Sequence, residues 1–372
     1  MTRYSGDVES KPSSRRRSSA GPVYTILGVV GEVLITLAAI CALYVVWQLW
    51  WTGVESDSAQ EQARQSVSWE RPGSSGATTI AKAQKGDPPE QPTSASTNEL
   101  IAEVYIPRFG DSWVRNLVQG TDMAQLNLHG FGHYESSQMP GQIGNFAVAA
   151  HRTGYGQSLG EIAKLRKGDA IIIRTKDYWY VYRYTSHEIV LPTEVRVVSS
   201  NPQNPGQKAT KRMITMTTCE PRYTYATHRW IAYGELSYWA KVSDGVPKEL
   251  ATTDSSGKVS FAASVDDASD SAASVDLTSI MVVLFAVYLV LSVAAIAVWR
   301  WPAISVWKKA RTKTSTGIYG WLLRIQPGAF PVRLILLLLL ILIAVGGMFQ
   351  WAFPWAAANI PYLQRMSNYV TV

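Results

Sequence analysis

Three stretches of the chain are apolar without interruption by charge. Val33 to Trp51 gives 19 such residues, Leu277 to Trp299 gives 23 and Leu334 to Phe353 gives 20, the last including a run of only Leu and Ile from Leu334 to Ile343. At about 1.5 Å per helical residue, each is long enough to cross a hydrocarbon core about 30 Å thick. Tryptophans gather at the ends of these runs (Trp47, Trp50 and Trp51; Trp299 and Trp301; Trp351 and Trp355). Amphipathic rings favour that depth, and an interfacial belt is expected there. The chain therefore reads as a signal anchor over 23–52 followed by two further transmembrane helices, 277–299 and 334–355.

Between the first and second spans the pattern changes twice. Residues 53–97 and 243–276 are rich in Ser, Ala, Gly, Pro, Asp and Gln, with few large apolar side chains, and are expected to be an unstructured tether and a linker. Residues 98–242 carry the branched and aromatic residues of one globular domain of ordinary size. Alternation there predicts strands at Leu100–Ile106, Trp113–Val118, Phe146–His151, Ala170–Arg174, Tyr178–Leu191, Met213–Cys219 and Arg229–Leu236. Tyr178, Tyr180, Tyr182 and Tyr184 occupy alternate positions and so share one face. Only Thr121–Leu126 and Ser158–Leu165 read as short helices. So many short strands close their edges most simply as an antiparallel barrel.

Net charge of +7 on 372 residues suggests a nucleic-acid partner until the charges are mapped. From Gly53 to Asp276 there are 22 basic and 25 acidic residues, and the surplus sits elsewhere. Residues 1–22 hold five bases against two acids, and 300–333 hold seven bases and no acid. Both pieces flank apolar runs, so the excess orients a membrane protein: tail and 300–333 loop in the cytoplasm, 53–276 and the tail 356–372 outside. The 300–333 loop is read as a topology determinant that can also touch lipid headgroups. Nucleic acid is not an expected partner.

Two cysteines cannot make a disulfide-stapled fold. Cys41 falls within a span and Cys219 in the outer domain, so the latter is a lone thiol facing an oxidising exterior. Cys219 ends the strand Arg212 to Thr218 and is followed by Glu220-Pro221, which exposes a nucleophile on a rigid backbone. If the strands at 212–219 and 229–236 pair as a hairpin, Arg229 comes near Cys219. A guanidinium there can favour a thiolate or donate to a developing oxyanion. Of the five histidines (His129, His133, His151, His187 and His228), His151 ends an apolar strand and opens a Gly-punctuated loop, as Cys219 ends its own. It is the first candidate acid and base, ahead of His133 and His228. An inert packed cysteine, a surface arginine and a structural histidine are the bland alternatives for these three residues. No His/Cys/Asp/Glu set has zinc spacing, and neither a metal nor a cofactor is expected.

Thr215-Met216-Thr217-Thr218-Cys219, Arg229 ten residues on with Trp230-Ile231-Ala232, and Ala149-Ala150-His151-Arg152-Thr153 upstream together resemble the sortase family. Ile106-Pro107 and Gly132-His133-Tyr134 are similar to its early strand and to the segment before its histidine. The resemblance covers about 98–240 and is greatest to class E, the housekeeping type of high-GC Gram-positive bacteria. It implies an eight-stranded β-barrel transpeptidase at the plasma membrane. Cys219 would attack the Thr–Gly bond of a secreted surface protein's C-terminal sorting signal, of Leu-Ala-x-Thr-Gly or Leu-Pro-x-Thr-Gly type. A peptidoglycan-precursor or pilin amine would resolve the thioester. His151 would move the protons, Arg229 would steady the oxyanion and Thr218 would line the signal groove. Met216 replaces the usual leucine, a volume-conserving change. The two C-terminal spans depart from the single anchor usual in the family, and pilin-polymerising sortases often carry a C-terminal span. Asp87-Pro88-Pro89 lacks the neighbouring aromatic of their lid, which favours housekeeping anchoring. A papain-like order (Cys before His) and a Ser/Thr-His-Gly-Cys motif are both absent. A non-catalytic cell-wall-binding scaffold is the alternative outside enzymes.

Overall fold

The computed structural model describes residues 22–70, 78–262, 276–299 and 317–366. The expected basic tail (1–21), most of the 300–333 loop (300–316), part of the 243–276 linker and the last six residues lie outside the described residues. Three helical stretches are long and apolar enough to cross a membrane: Ile26–Ser66, Leu277–Trp299 and Phe330–Asn359. The described chain divides into two compact units, one of residues 22–42 with 278–347, the other of 43–277 with 348–366.

In the first unit, helix α1 (Pro22–Val46) supplies Glu32, whose carboxylate accepts the amide of Ile318 at the start of the helix Ile318–Ile325. Thr36 and Tyr319 share a hydroxyl–hydroxyl hydrogen bond beside it. The N-terminal amides of a helix lack partners of their own, and a carboxylate satisfies one.

The second unit holds the barrel. Its strands are β1 (Leu100–Tyr105), β2 (Val114–Gln119), β3 (Phe131–His133), β4 (Gly144–Ala150), β5 (Ala170–Arg174), β6 (Tyr178–Val190), β7 (Arg212–Glu220) and β8 (His228–Lys241). They close in the order β1-β2-β3-β4-β7-β8-β6-β5, antiparallel except for the parallel pairs β2–β3 and β4–β7. The expected mainly β, eight-stranded barrel with short helices is what forms, with three helices long and apolar enough to cross a membrane. Seven of its strands match the alternation. Strand β3 escaped notice because three residues are too few to show a period. One short helix, α3 (Met123–His129), lies between β2 and β3. The second expected helix shrinks to a 3-10 turn at Ile162–Lys164.

Alternation sorts the side chains cleanly. Ile171, Ile173, Tyr180, Tyr182 and Tyr184 join Phe146, Val148, Ile214, Met216 and Ala232 in a core drawn from all eight strands, the barrel interior. The intervening Ile172, Trp179, Val181, Tyr238 and Ala240 face outward and would be exposed if the domain ended at Lys241. They are covered instead by Ala81, Val242, Val246, Leu250 and Phe261.

That cover corrects the tether and linker boundaries. Residues 242–262 form two 3-10 turns and the ribbon β9 (Ala251–Thr253) with β10 (Val259–Phe261). Trp179 Nε1 donates to the Gly245 carbonyl at 3.0 Å. Residues 78–84 run alongside: the Ala81 amide donates to Val246 at 2.8 Å, and Gln84 and Trp239 exchange amide hydrogen bonds. These segments have little apolar surface of their own, so composition marked them as unable to fold. The surface they bury belongs to the barrel.

Nor does the first helical stretch stop at residue 52. After α1 a π-helical turn, Trp47–Trp51, leads into α2 (Thr52–Ser66). Side-chain pairs one turn apart support α2, including Arg64–Glu61 at 2.8 Å and Gln60–Ser56 at 3.1 Å. It docks through polar groups: Gln60 accepts the Asn116 amide, and its carbonyl accepts Asn116 Nδ2, both at 2.9 Å. Trp47 and Trp51, expected in the interfacial belt, are buried at 1% and 9% exposure. Trp51 packs on Phe349 and Trp47 on Phe353, at centroid separations of 5.8 and 6.0 Å. Trp50, Trp351 and Trp355 remain exposed.

Candidate active site

Three adjacent strands bring the candidate residues together. Parallel pairing of β4 with β7 sets Ala147 beside Thr215 and Ala149 beside Thr217; β4 ends at Ala150, and His151 follows it directly, where continuing the same register leads to the level of Cys219. On the other side, antiparallel pairing of β7 with β8 makes Cys219 and Arg229 direct partners. The three stand in a row across strands spaced about 4.8 Å apart. Their faces agree as well. Phe146, Val148 and Ala150 on β4, Ile214 and Met216 on β7 and Ala232 on β8 point into the core. The alternate positions, to which His151, Cys219 and Arg229 belong, face outward.

Cys219 is a free, partly exposed thiol. Burial pushes its pKa up, while the guanidinium groups of Arg229 and then Arg152 pull it down without cancelling that effect. Arg152 is a neighbour that position alone did not single out, although it lies within the His-Arg-Thr motif. Its Nη1 donates to the Cys219 carbonyl at 3.2 Å, and it pairs with the Glu220 carboxylate. The same guanidinium lies 4.9 Å from the centre of the Trp230 ring, which stacks on His187 at 4.5 Å. Arg152 therefore holds the strand end that bears the thiol as well as biasing its charge.

His151 is almost wholly buried, and loss of solvation pushes its imidazole down to about 4. Its Nε2 is 2.7 Å from Asn127 Oδ1 on α3. An amide oxygen accepts only, so this contact places the neutral ring's proton on Nε2 and leaves Nδ1 with a free lone pair. Tyr155 flanks the ring at 5.3 Å. Nothing in the sequence pattern pointed to Asn127, which is brought in by a seven-residue helix from a distant stretch.

The second- and third-choice histidines do other work. His133 is buried against Phe146, its Nδ1 is bonded to Gln119 at 2.8 Å, and its Nε2 faces the Gln138 carbonyl and the Ser137 hydroxyl. Burial pushes it, too, down to about 4. His228 is bonded to the neighbouring Thr227 hydroxyl. Thr218 is buried, and its hydroxyl donates to the Ala150 carbonyl at 2.7 Å, tying the ends of β7 and β4 together. Among the described residues no three His, Cys, Asp or Glu side chains converge as a metal set.

The Sortase domain family model matches residues 104–237. The chain is 36% identical over 240 residues to sortase SrtE2 of Streptomyces coelicolor, covering 60% of this chain and 88% of that one. It is 29% identical over 252 residues to sortase SrtE1 of the same organism, covering 65% and 66% respectively. Among solved structures, the SrtA sortase from Actinomyces oris aligns at 33% identity and a TM-score of 0.43, over 45% of this chain and 96% of that chain. Sortase E from Streptomyces avermitilis aligns at 35% identity and 0.38, over 42% and 99%. With a family model across the barrel and a relative matched over most of its own length, the chain belongs to the sortase family of cysteine transpeptidases.

Proposed function

We propose that Cys219 is the nucleophile, His151 the proton carrier and Arg229 the oxyanion donor of a transpeptidase that joins surface proteins to a cell-wall amine. The observation that carries this reading is the direct pairing of Cys219 with Arg229 across β7 and β8, with His151 immediately after the end of the adjoining β4. At neutral pH both thiol and imidazole start uncharged, given a raised thiol and an imidazole near 4. The proton on Sγ moves to Nδ1 of His151 as sulfur attacks the carbonyl carbon of the signal's Thr–Gly bond. The oxyanion that forms takes hydrogen bonds from the Arg229 guanidinium. As the C–N bond breaks, His151 returns that proton to the departing glycine amine, leaving a thioester on Cys219. The incoming amine then gives its proton to His151, attacks the thioester and releases the sulfur, which recovers the proton.

The similarity to two Streptomyces sortases of the E type favours a Leu-Ala-x-Thr-Gly signal and housekeeping anchoring over pilus assembly. The basic flanks support a multi-pass arrangement in the plasma membrane of a Gram-positive bacterium, with the barrel outside, where secreted substrates and peptidoglycan precursors meet. Mass spectrometry tests the reading. The enzyme is incubated with Leu-Ala-x-Thr-Gly and Leu-Pro-x-Thr-Gly peptides plus candidate amines. A thioester adduct at Cys219 and a ligated product are expected with the first peptide. Undiminished cleavage by Cys219→Ala or His151→Ala overturns the assignment.

A further inference from the structure

Helix α2 meets the barrel at the loop that follows His151. Thr52, in the first turn of α2, is fully buried. Its hydroxyl donates to the Gln48 carbonyl at 2.8 Å and accepts the amide of Tyr155 at 2.9 Å. Tyr155 stands in an unusual stretch: Gly154, Tyr155, Gly156 and Gln157 all have positive φ, at 71°, 47°, 76° and 47°. Non-glycine residues in that region cost energy and persist where their surroundings over-determine them.

The surroundings come from α2, the π-helical turn before it and strand β2. A Cβ on Gly53 would lie only 3.5 Å from the Gly156 nitrogen, so the two backbones run in near contact. A Cβ on Gly154 would lie 2.6 Å from Gln48 Nε2. Arg115 donates to the Gly156 carbonyl at 3.3 Å and faces Asp57 of α2 at 3.5 Å. From this held turn the Tyr155 ring reaches the His151 imidazole, 5.3 Å away and tilted by 33°.

We propose that Thr52 is a positioning residue for catalysis: through the Tyr155 amide it fixes the left-handed turn that sets the Tyr155 ring against His151. This deepens the proposed function and rests on His151 as its proton carrier. The helix that leaves the first span thereby becomes part of the catalytic apparatus as well as a tether. The geometry of a proton carrier tolerates little displacement, since a shift of about 1 Å can cost two orders of magnitude in rate.

The test uses the full chain in detergent micelles and the sorting-signal peptide that the wild-type enzyme cleaves. Thr52→Val keeps the shape and removes the acceptor. It is expected to lower kcat about tenfold with KM changed less than twofold, and Thr52→Ser to restore it. Hydrogen exchange of the same samples should show the Tyr155 amide exchanging at least about tenfold faster in Thr52→Val, with β7 amides unchanged. Tyr155→Leu keeps the amide and removes the ring, so it guards against a Thr52 variant that fails to fold; it should lose kcat to the same extent. Wild-type kcat in either Thr52→Val or Tyr155→Leu overturns the proposal while leaving the assignment of His151 intact. Retained turnover in His151→Ala removes the reading beneath it, and the proposal with it.

Discussion

His133 and His151 are buried at 1% and 3% exposure, and each imidazole is held down to about 4 from an ordinary 6.5. Between those values the unfolded chain binds a proton at each position and the folded chain does not. Stability is therefore full above pH 6.5, falls as pH drops through it, and stops falling from this cause near pH 4. At 1.36 kcal/mol per pKa unit, going from pH 7 to pH 5 costs about 2 kcal/mol for each histidine, or about 4 kcal/mol for the pair. Partial burial lowers His129 as well, which adds in the same direction. The carboxylates of Glu161, Asp169 and Glu188 are held low by arginine and lysine partners and lose their contributions only below about pH 4.5, so the loss in this window comes from the histidines, opposed only by Glu55, whose carboxyl is pushed up by burial. Against a usual domain stability of about 5–15 kcal/mol, the loss is large. Urea unfolding in detergent micelles, followed by tryptophan fluorescence at pH 7, 6 and 5, measures it. His133→Gln should start less stable at pH 7 but lose only about half as much free energy on acidification. Equal losses in variant and wild type would refute the claim that burial of this imidazole sets the acid sensitivity.

Other consequences can be checked separately. Arg229→Lys keeps the charge but loses the planar fork, and kcat/KM for the signal peptide should fall by about 10²–10³ with an unchanged circular dichroism spectrum; an unaltered kcat/KM would deny Arg229 the oxyanion role. Glu103 and Arg174 form a buried pair at 2.7 Å, so Glu103→Gln should cost about 3–5 kcal/mol in urea unfolding. The double change Glu103→Gln with Arg174→Met should recover most of that, and no recovery would mean the charge left behind is not the cause. A Cβ on Gly132 would sit 2.2 Å from the Gly120 carbonyl oxygen, so Gly132→Ala must push β3 from its neighbour and should destabilise by about 1–3 kcal/mol in the same assay.

The parts of this molecule that could be read along the chain are those governed by neighbours in sequence. Alternation of side chains decided which tyrosines of β6 face the core, and Tyr180, Tyr182 and Tyr184 do. A nine-residue loop between two strands was enough to expect Cys219 opposite Arg229, because hairpin partners are close along the chain. The placement of His151 beside Cys219 was suggested by two strands ending alike, but it required the parallel pairing of β4 with β7, 68 residues apart, to become geometry. Asn127 and the outward-facing Trp179 gave no local signal at all.

Local chemistry thus determined the long apolar helices, most strands and which side chains are candidates for chemistry, since periodicity, charge flanks and side-chain type are properties of short windows. Tertiary structure alone decided that Ser-, Ala- and Gln-rich segments fold, that Trp47 and Trp51 are buried and that the Thr218 hydroxyl bonds to the Ala150 carbonyl. Each of those outcomes depends on a surface or a hydrogen-bond partner supplied by residues distant in sequence. Burial is a property of the pair in contact, and half of each pair was elsewhere in the chain.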